Sequence, residues 1–217
     1  MMDGFDIGHF IQKIAVLAPG FLLAITVHEF MHGYVAFRLG DPTAKNAGRL
    51  TLNPISHLDP IGTLFLVIAG LGWAKPVPVD PRYLRNPRRD MIWISLAGPV
   101  ANVAAAVALA AILQFVVRFV MDLSGGGPSQ FAYGPLRMLV TAVYLNVMLA
   151  VFNLIPIPPL DGSGILAGLL PHRQAYEYEK LAPYGPIVLM LLFFTQVLGY
   201  IIMAPINVIT NLLLTGL

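Results

Sequence analysis

His28-Glu29-Phe30-Met31-His32 lies inside an apolar run, and its reading decides what kind of protein this is. Between Ile14 and Phe37, the two histidines and the glutamate are the only groups that titrate near neutral pH. On a helix, positions i and i+4 share a face, so His28 and His32 can present two imidazole nitrogens to one metal ion while Glu29 points to the side. A hydrolytic zinc site needs that arrangement: two neutral imidazoles as ligands and a carboxylate left free to take a proton from water. Multiplying the chain's own His and Glu frequencies gives a chance match of roughly one in several hundred. Location adds weight, because an ionised carboxylate within a bilayer costs on the order of 3 kcal/mol unless it is paired or hydrated.

The surrounding composition is that of a membrane protein. Of 217 residues, 57% are hydrophobic and 11% charged, and the mean hydropathy is +0.75, too apolar for a soluble domain. A net charge of +2 and a pI near 9.0 do not indicate a nucleic-acid partner, because the basic residues concentrate between Gly40 and Asp90. That distribution suits cytoplasmic loops obeying the positive-inside rule. With no cysteine, a zinc site must draw on His, Asp or Glu. Asp3 and Asp6 precede the apolar run without a basic opening stretch, so no cleavable signal peptide is predicted. No repeat and no soluble module is visible, and residues 1–217 read as a single integral-membrane domain.

The motif belongs to a first span predicted from about Ile14 to Leu39, kinked at Pro19-Gly20. Beyond it, Gly48-Arg49-Leu50-Thr51-Leu52 alternates as a short strand would, and Asp59-Pro60 reads as a helix cap followed by the first helical residue. His57, just ahead, reads either as a turn residue or as a side chain behind the site or against substrate. Pro60 to Ala74 is uncharged, but 15 residues of helix reach about 22 Å against a hydrocarbon core of about 30 Å, which predicts a re-entrant element. The prolines of Ala74-Lys75-Pro76-Val77-Pro78-Val79 keep the chain extended beside Gly48–Leu52, a sheet edge that suits an unwound substrate.

Ile92 to Val117 forms the next predicted span, with Gly98, Asn102, Ala106 and Ala110 making a stripe of small side chains around one amide. Asn102 reads either as packing glue or as an amide donor aimed at a reacting carbonyl. The loop from Asp122 to Gly134 has no Lys or Arg and is predicted on the outer side. The span from about Leu136 to Ile155 then returns and breaks in Asn153-Leu154-Ile155-Pro156-Ile157-Pro158-Pro159-Leu160-Asp161-Gly162. A broken helix carrying a carboxylate at this depth signals a site. If the basic loops are cytoplasmic, His28, His32 and Asp161 all fall towards the cytoplasmic ends of their spans. Leu181 to Leu217 is uncharged and predicts one span, a break near Pro205 and a shorter embedded tail.

Four blocks together resemble the site-2 protease family of intramembrane zinc metalloproteases, in particular its short members without PDZ or CBS domains. They are His28–His32, Gly48–Pro54 with His57 and Asp59-Pro60, Ala97-Gly98-Pro99 with Asn102, and Asn153–Gly162. The resemblance implies that His28, His32 and Asp161 ligate one zinc ion, that Glu29 is the general base, and that Asn102 and Asn153 hold the substrate backbone or its oxyanion. It further implies single-span membrane substrates, such as anti-sigma factors or membrane-tethered regulators, and a location in the cell membrane with the active site towards the cytoplasm. The predicted fold is an all-α helical bundle of about four to five transmembrane segments, with a re-entrant element and a small membrane-associated β-sheet. A transporter would share the broken helix and buried charges but usually carries inverted repeats, and a metal-binding scaffold would not need Glu29.

Overall fold

The computed structural model describes residues 6–69, 72–124 and 133–215. Four of its helices are long and apolar enough to cross a membrane: α1 (Ile7–Arg38), α4 (Pro87–Ser124), α5 (Tyr133–Asn153) and α9 (Val197–Leu214). Between them lie a one-turn α2 (Thr43–Asn46), α3 (Pro60–Ala69), α6 (Asp161–Leu169), α7 (His172–Glu179) and α8 (Gly185–Phe194). Helices dominate because hydrocarbon leaves no water for backbone groups, which must pair within each segment. The chain is a multi-pass membrane protein.

α4 is the central element, packed against α1, α5, α6 and α9, and α5 also packs on α1 and α9. The small-residue stripe faces inward as predicted, with Gly98, Asn102, Ala106 and Ala110 all buried. Ala106 and Ala110 join Val143, Val147 and Ile206 in the core of α4, α5 and α9. Without a hydrophobic force between helices in lipid, close approach over small side chains supplies the dispersion contact that holds them together. The opposite face of α4 turns Val107, Ile112, Phe115 and Phe119 outward, as a lipid-facing surface requires.

Three local predictions change. The small β-sheet does not form: among the described residues there is no strand, only one isolated antiparallel bridge between Leu58 and Ala74. Pro76 and Pro78 have no N–H to extend a ladder, and Lys75 O is taken by the Arg49 guanidinium at 2.6 Å. The C-terminal break falls earlier than Pro205, which sits inside α9. α8 ends instead at Thr195-Gln196, where Gln196 turns left-handed (φ 62°) and Thr195 Oγ1 donates back to Leu191 O at 2.7 Å. The first helix starts at Ile7 and its candidate span at Ile11, both earlier than predicted, and Pro19 lies inside the helix.

The predicted cap does form, since Asp59 Oδ1 accepts the Gly62 N–H at 2.8 Å at the start of α3. The Leu58–Ala74 bridge then returns the chain to the foot of α3. Most of the predicted outer loop, at residues 125–132, lies outside the described residues.

Candidate metal centre

His28, Glu29 and His32 sit on consecutive turns of α1, and α4 crosses that face with one residue per turn in contact. At the crossing is Gly98, where any side chain would collide with both imidazoles, so glycine lets the two helices meet there. One turn earlier, Ile94 O lies 2.6 Å from His32 Nδ1, and one turn later, Asn102 Oδ1 lies 2.7 Å from His28 Nδ1. Asp161 opens α6, which lies along α4 because side chains at Gly164 and Gly168 would strike Ser95 and Ile92.

The hydrogen bonds determine which ring nitrogen carries the proton. A carbonyl only accepts, so His32 Nδ1 must donate to Ile94 O, leaving a lone pair on Nε2. Asn102 Nδ2 donates to Ala24 O (2.9 Å) and to Asn146 Oδ1 (2.9 Å), which turns its own Oδ1 towards His28. His28 Nδ1 therefore donates as well, and its Nε2 is also a lone pair. The two Nε2 atoms are 3.0 Å apart, and Asp161 Oδ2 is 3.1 Å from one and 3.3 Å from the other.

Three lone-pair atoms thus face one another in a buried place, and Asp161 Oδ2 has no hydrogen-bond donor. With both imidazoles neutral that arrangement is repulsive, and either a shared proton or a metal ion among the three relieves it. Tetrahedral bonds of about 2.0–2.1 Å put ligand atoms roughly 3.3 Å apart, close to the separations found, so the donor set fits zinc. Each imidazole is oriented from behind, as metal-binding histidines usually are. The turn before Asp161 is braced by Tyr178, whose hydroxyl donates to Pro156 O at 2.9 Å and whose pKa burial pushes up.

The other predicted residues separate. Glu29 is buried beside the cluster, its Oε2 accepting the Val77 N–H at 2.8 Å. Asn102 departs from the amide-donor expectation: both of its N–H groups are engaged and it is fully buried, so it orients His28 and has no donor left for a reacting carbonyl. Asn153 closes α5 half-buried, with Nδ2 on Leu149 O at 3.0 Å, and is not bonded to the cluster. His57 is buried away from the three ligand candidates, with Nε2 on Thr51 O at 2.8 Å.

Asn146 is absent from the sequence reading. It is fully buried on α5, and its Nδ2 donates to Ala142 O at 2.8 Å, which directs its Oδ1 at Asn102. The available signal was an amide in mid-span, where an unpaired polar group is costly. An Asn102→Ala variant frees the His28 ring to rotate and is expected to weaken zinc binding about 10–100-fold, read by competition with a chromophoric chelator.

The model of peptidase family M50 matches residues 16–193. YwhC of Bacillus subtilis, named as a zinc metalloprotease, is 39% identical over 186 residues, covering 86% of this chain and 83% of the relative. Rip2 of Mycolicibacterium smegmatis, named likewise, is 31% identical over 201 residues, covering 89% and 70%. Rip2 of Mycobacterium tuberculosis is also 31% identical over 201 residues. No solved structure matches the chain.

Proposed function

The chain belongs to peptidase family M50, the site-2 protease family of intramembrane zinc metalloproteases, and from that premise we propose how its residues divide the work. His28, His32 and Asp161 hold one zinc ion per chain, and Glu29 is the general base. The observation that carries this reading is the convergence of two imidazole lone pairs and one carboxylate oxygen at 3.0–3.3 Å, with both Nδ1 atoms already engaged behind them.

Bound zinc supplies Lewis-acid polarisation of the scissile carbonyl and acidifies water for attack. Glu29 takes the proton from the attacking water and passes it to the departing amine. The Nδ1 protons of His28 and His32 are tied to Asn102 and Ile94, so the Nε2 lone pairs that hold the ion keep one direction through turnover. The second N–H of Asn153 is free of the Leu149 carbonyl and is available to substrate backbone at the end of α5.

The substrates in this reading are transmembrane segments of single-span proteins, such as anti-sigma factors or membrane-tethered regulators. A helical peptide bond is shielded by its own hydrogen bonds, so cleavage favours segments that Gly or Pro allows to unwind. The whole of residues 1–217 acts as one domain in the cell membrane. The site faces the cytoplasm, because His28 is ten residues, about 15 Å, from Arg38 at the end of α1, and Arg88 and Arg89 open α4 at the same end. Detergent-purified protein is expected to hold about one zinc per chain. Stripping with 1,10-phenanthroline should abolish cleavage of a single-span test substrate, and one equivalent of zinc should restore it. Full activity in zinc-free protein would end the assignment.

A further inference from the structure

Between α3 and α4 the chain runs through Lys75-Pro76-Val77-Pro78-Val79 without helix or strand. Proline has no N–H, so from Pro76 to Pro78 the Val77 N–H is the sole backbone donor. It is aimed at Glu29 Oε2, 48 residues away in the chain. A following proline also holds the preceding residue extended, which fixes the backbone of both Lys75 and Val77 and hence the direction of that donor.

The segment is tied down on two sides. Val77 is buried with its side chain against Gly33, where an added Cβ would meet Val77 Cγ1 at 3.1 Å and Ala44 Cβ at 3.2 Å. Gly33 is one turn beyond Glu29 on α1, so the same helix face receives the Val77 side chain and its N–H. On the other side, Lys75 N–H donates to His57 O at 2.9 Å and Lys75 O accepts from Arg49 Nη2 at 2.6 Å. His57 is in turn held by Thr51 O, and Arg49 is buried, its own N–H on Ala44 O at 2.8 Å. Arg49 through its guanidinium and His57 through its backbone carbonyl each grip the segment that touches Glu29, and neither residue takes part in binding the ion or moving the proton.

We infer that Lys75–Val79 is a strap that positions the general base. The Val77 N–H holds one carboxylate oxygen of Glu29 so that the other faces the attacking water, and Arg49 and His57 clamp the strap from outside. The inference rests on Glu29 being that base. A carboxylate that swings by an ångström loses proton-transfer geometry without losing substrate or metal, so the strap acts on turnover.

The test compares Val77→Pro, which deletes the N–H while keeping an extended backbone, with wild-type zinc-loaded protein in detergent. Expected is a ten- to hundredfold fall in kcat on a single-span test substrate, with KM within threefold and zinc content equal to wild type. A kcat within twofold of wild type with zinc retained overturns the inference. Should Val77→Pro fail to fold or lose zinc, Arg49→Met decides by the same three readouts, since it releases the clamp and leaves the Val77 amide intact. Glu29→Gln measured alongside separates the two claims. Residual wild-type activity in Glu29→Gln defeats the assignment of the base, whereas an inactive Glu29→Gln beside a fully active Val77→Pro defeats the strap alone.

Discussion

Glu29→Gln is expected to keep its zinc and to lose about 10²–10⁴-fold in kcat/KM, the usual contribution of a positioned general base. The amide is nearly isosteric with the carboxylate, and with its single oxygen turned to the Val77 N–H it can still accept that bond, so the helix and strap have no reason to move. Glu29 is also outside the set of three atoms that converge, so the ion's ligands are untouched. What disappears is a group able to accept a proton from water. The measurement is cleavage of a single-span substrate beside zinc content by elemental analysis. Retained zinc with retained cleavage would leave the chain with a metal site that does not work through Glu29.

The second large effect concerns Asp161. Asp161→Ala is expected to weaken zinc binding by more than about 100-fold, since loss of a hydrogen bond behind a ligand already costs about 10–100-fold and here a ligand itself is removed. The Asp161 side chain makes no capping hydrogen bond at the start of α6. In metal-free protein a proton on either imidazole Nε2 would be shared with Asp161 Oδ2 at 3.1–3.3 Å, so each protein is compared with its own zinc-free form. The difference appears on adding zinc: a 100-fold weaker site forgoes about 2.7 kcal/mol of ligand stabilisation, which thermal unfolding with and without zinc would measure. Equal stabilisation by zinc in both proteins would remove Asp161 from the site.

Much of the fold was legible because membrane helices are dictated locally. Long uncharged stretches must pair their backbone internally, and the four spans follow from that requirement. Where the reading went astray, a competing local choice won. Gly48–Leu52 alternates like a strand, but the segment that was to pair with it carries prolines and offers its carbonyl to the Arg49 side chain instead. Near the C-terminus a proline looked like the break, yet a left-handed Gln196 ended the helix and Pro205 was absorbed. Asn102 was found by its place in a small-residue stripe, but the direction of its amide depended on Asn146 and Ala24, which periodicity does not reveal.

The sequence by itself determined the chemistry on offer: two histidines and a glutamate at helical spacing in an apolar span, a distant aspartate after a proline-broken helix, and enough hydropathy for a membrane bundle. These are properties of residue type, chain direction and the 3.6-residue turn, all of short range. Tertiary structure alone decided which atoms face one another. Asp161 meets His28 and His32 because α6 lies close along α4, Asn102 turns its oxygen to His28 because Asn146 and Ala24 take its protons, and Val77 reaches Glu29 because Gly33 leaves room for it. Such contacts join residues tens of positions apart, and their geometry depends on how closely whole helices pack, a quantity no local pattern encodes.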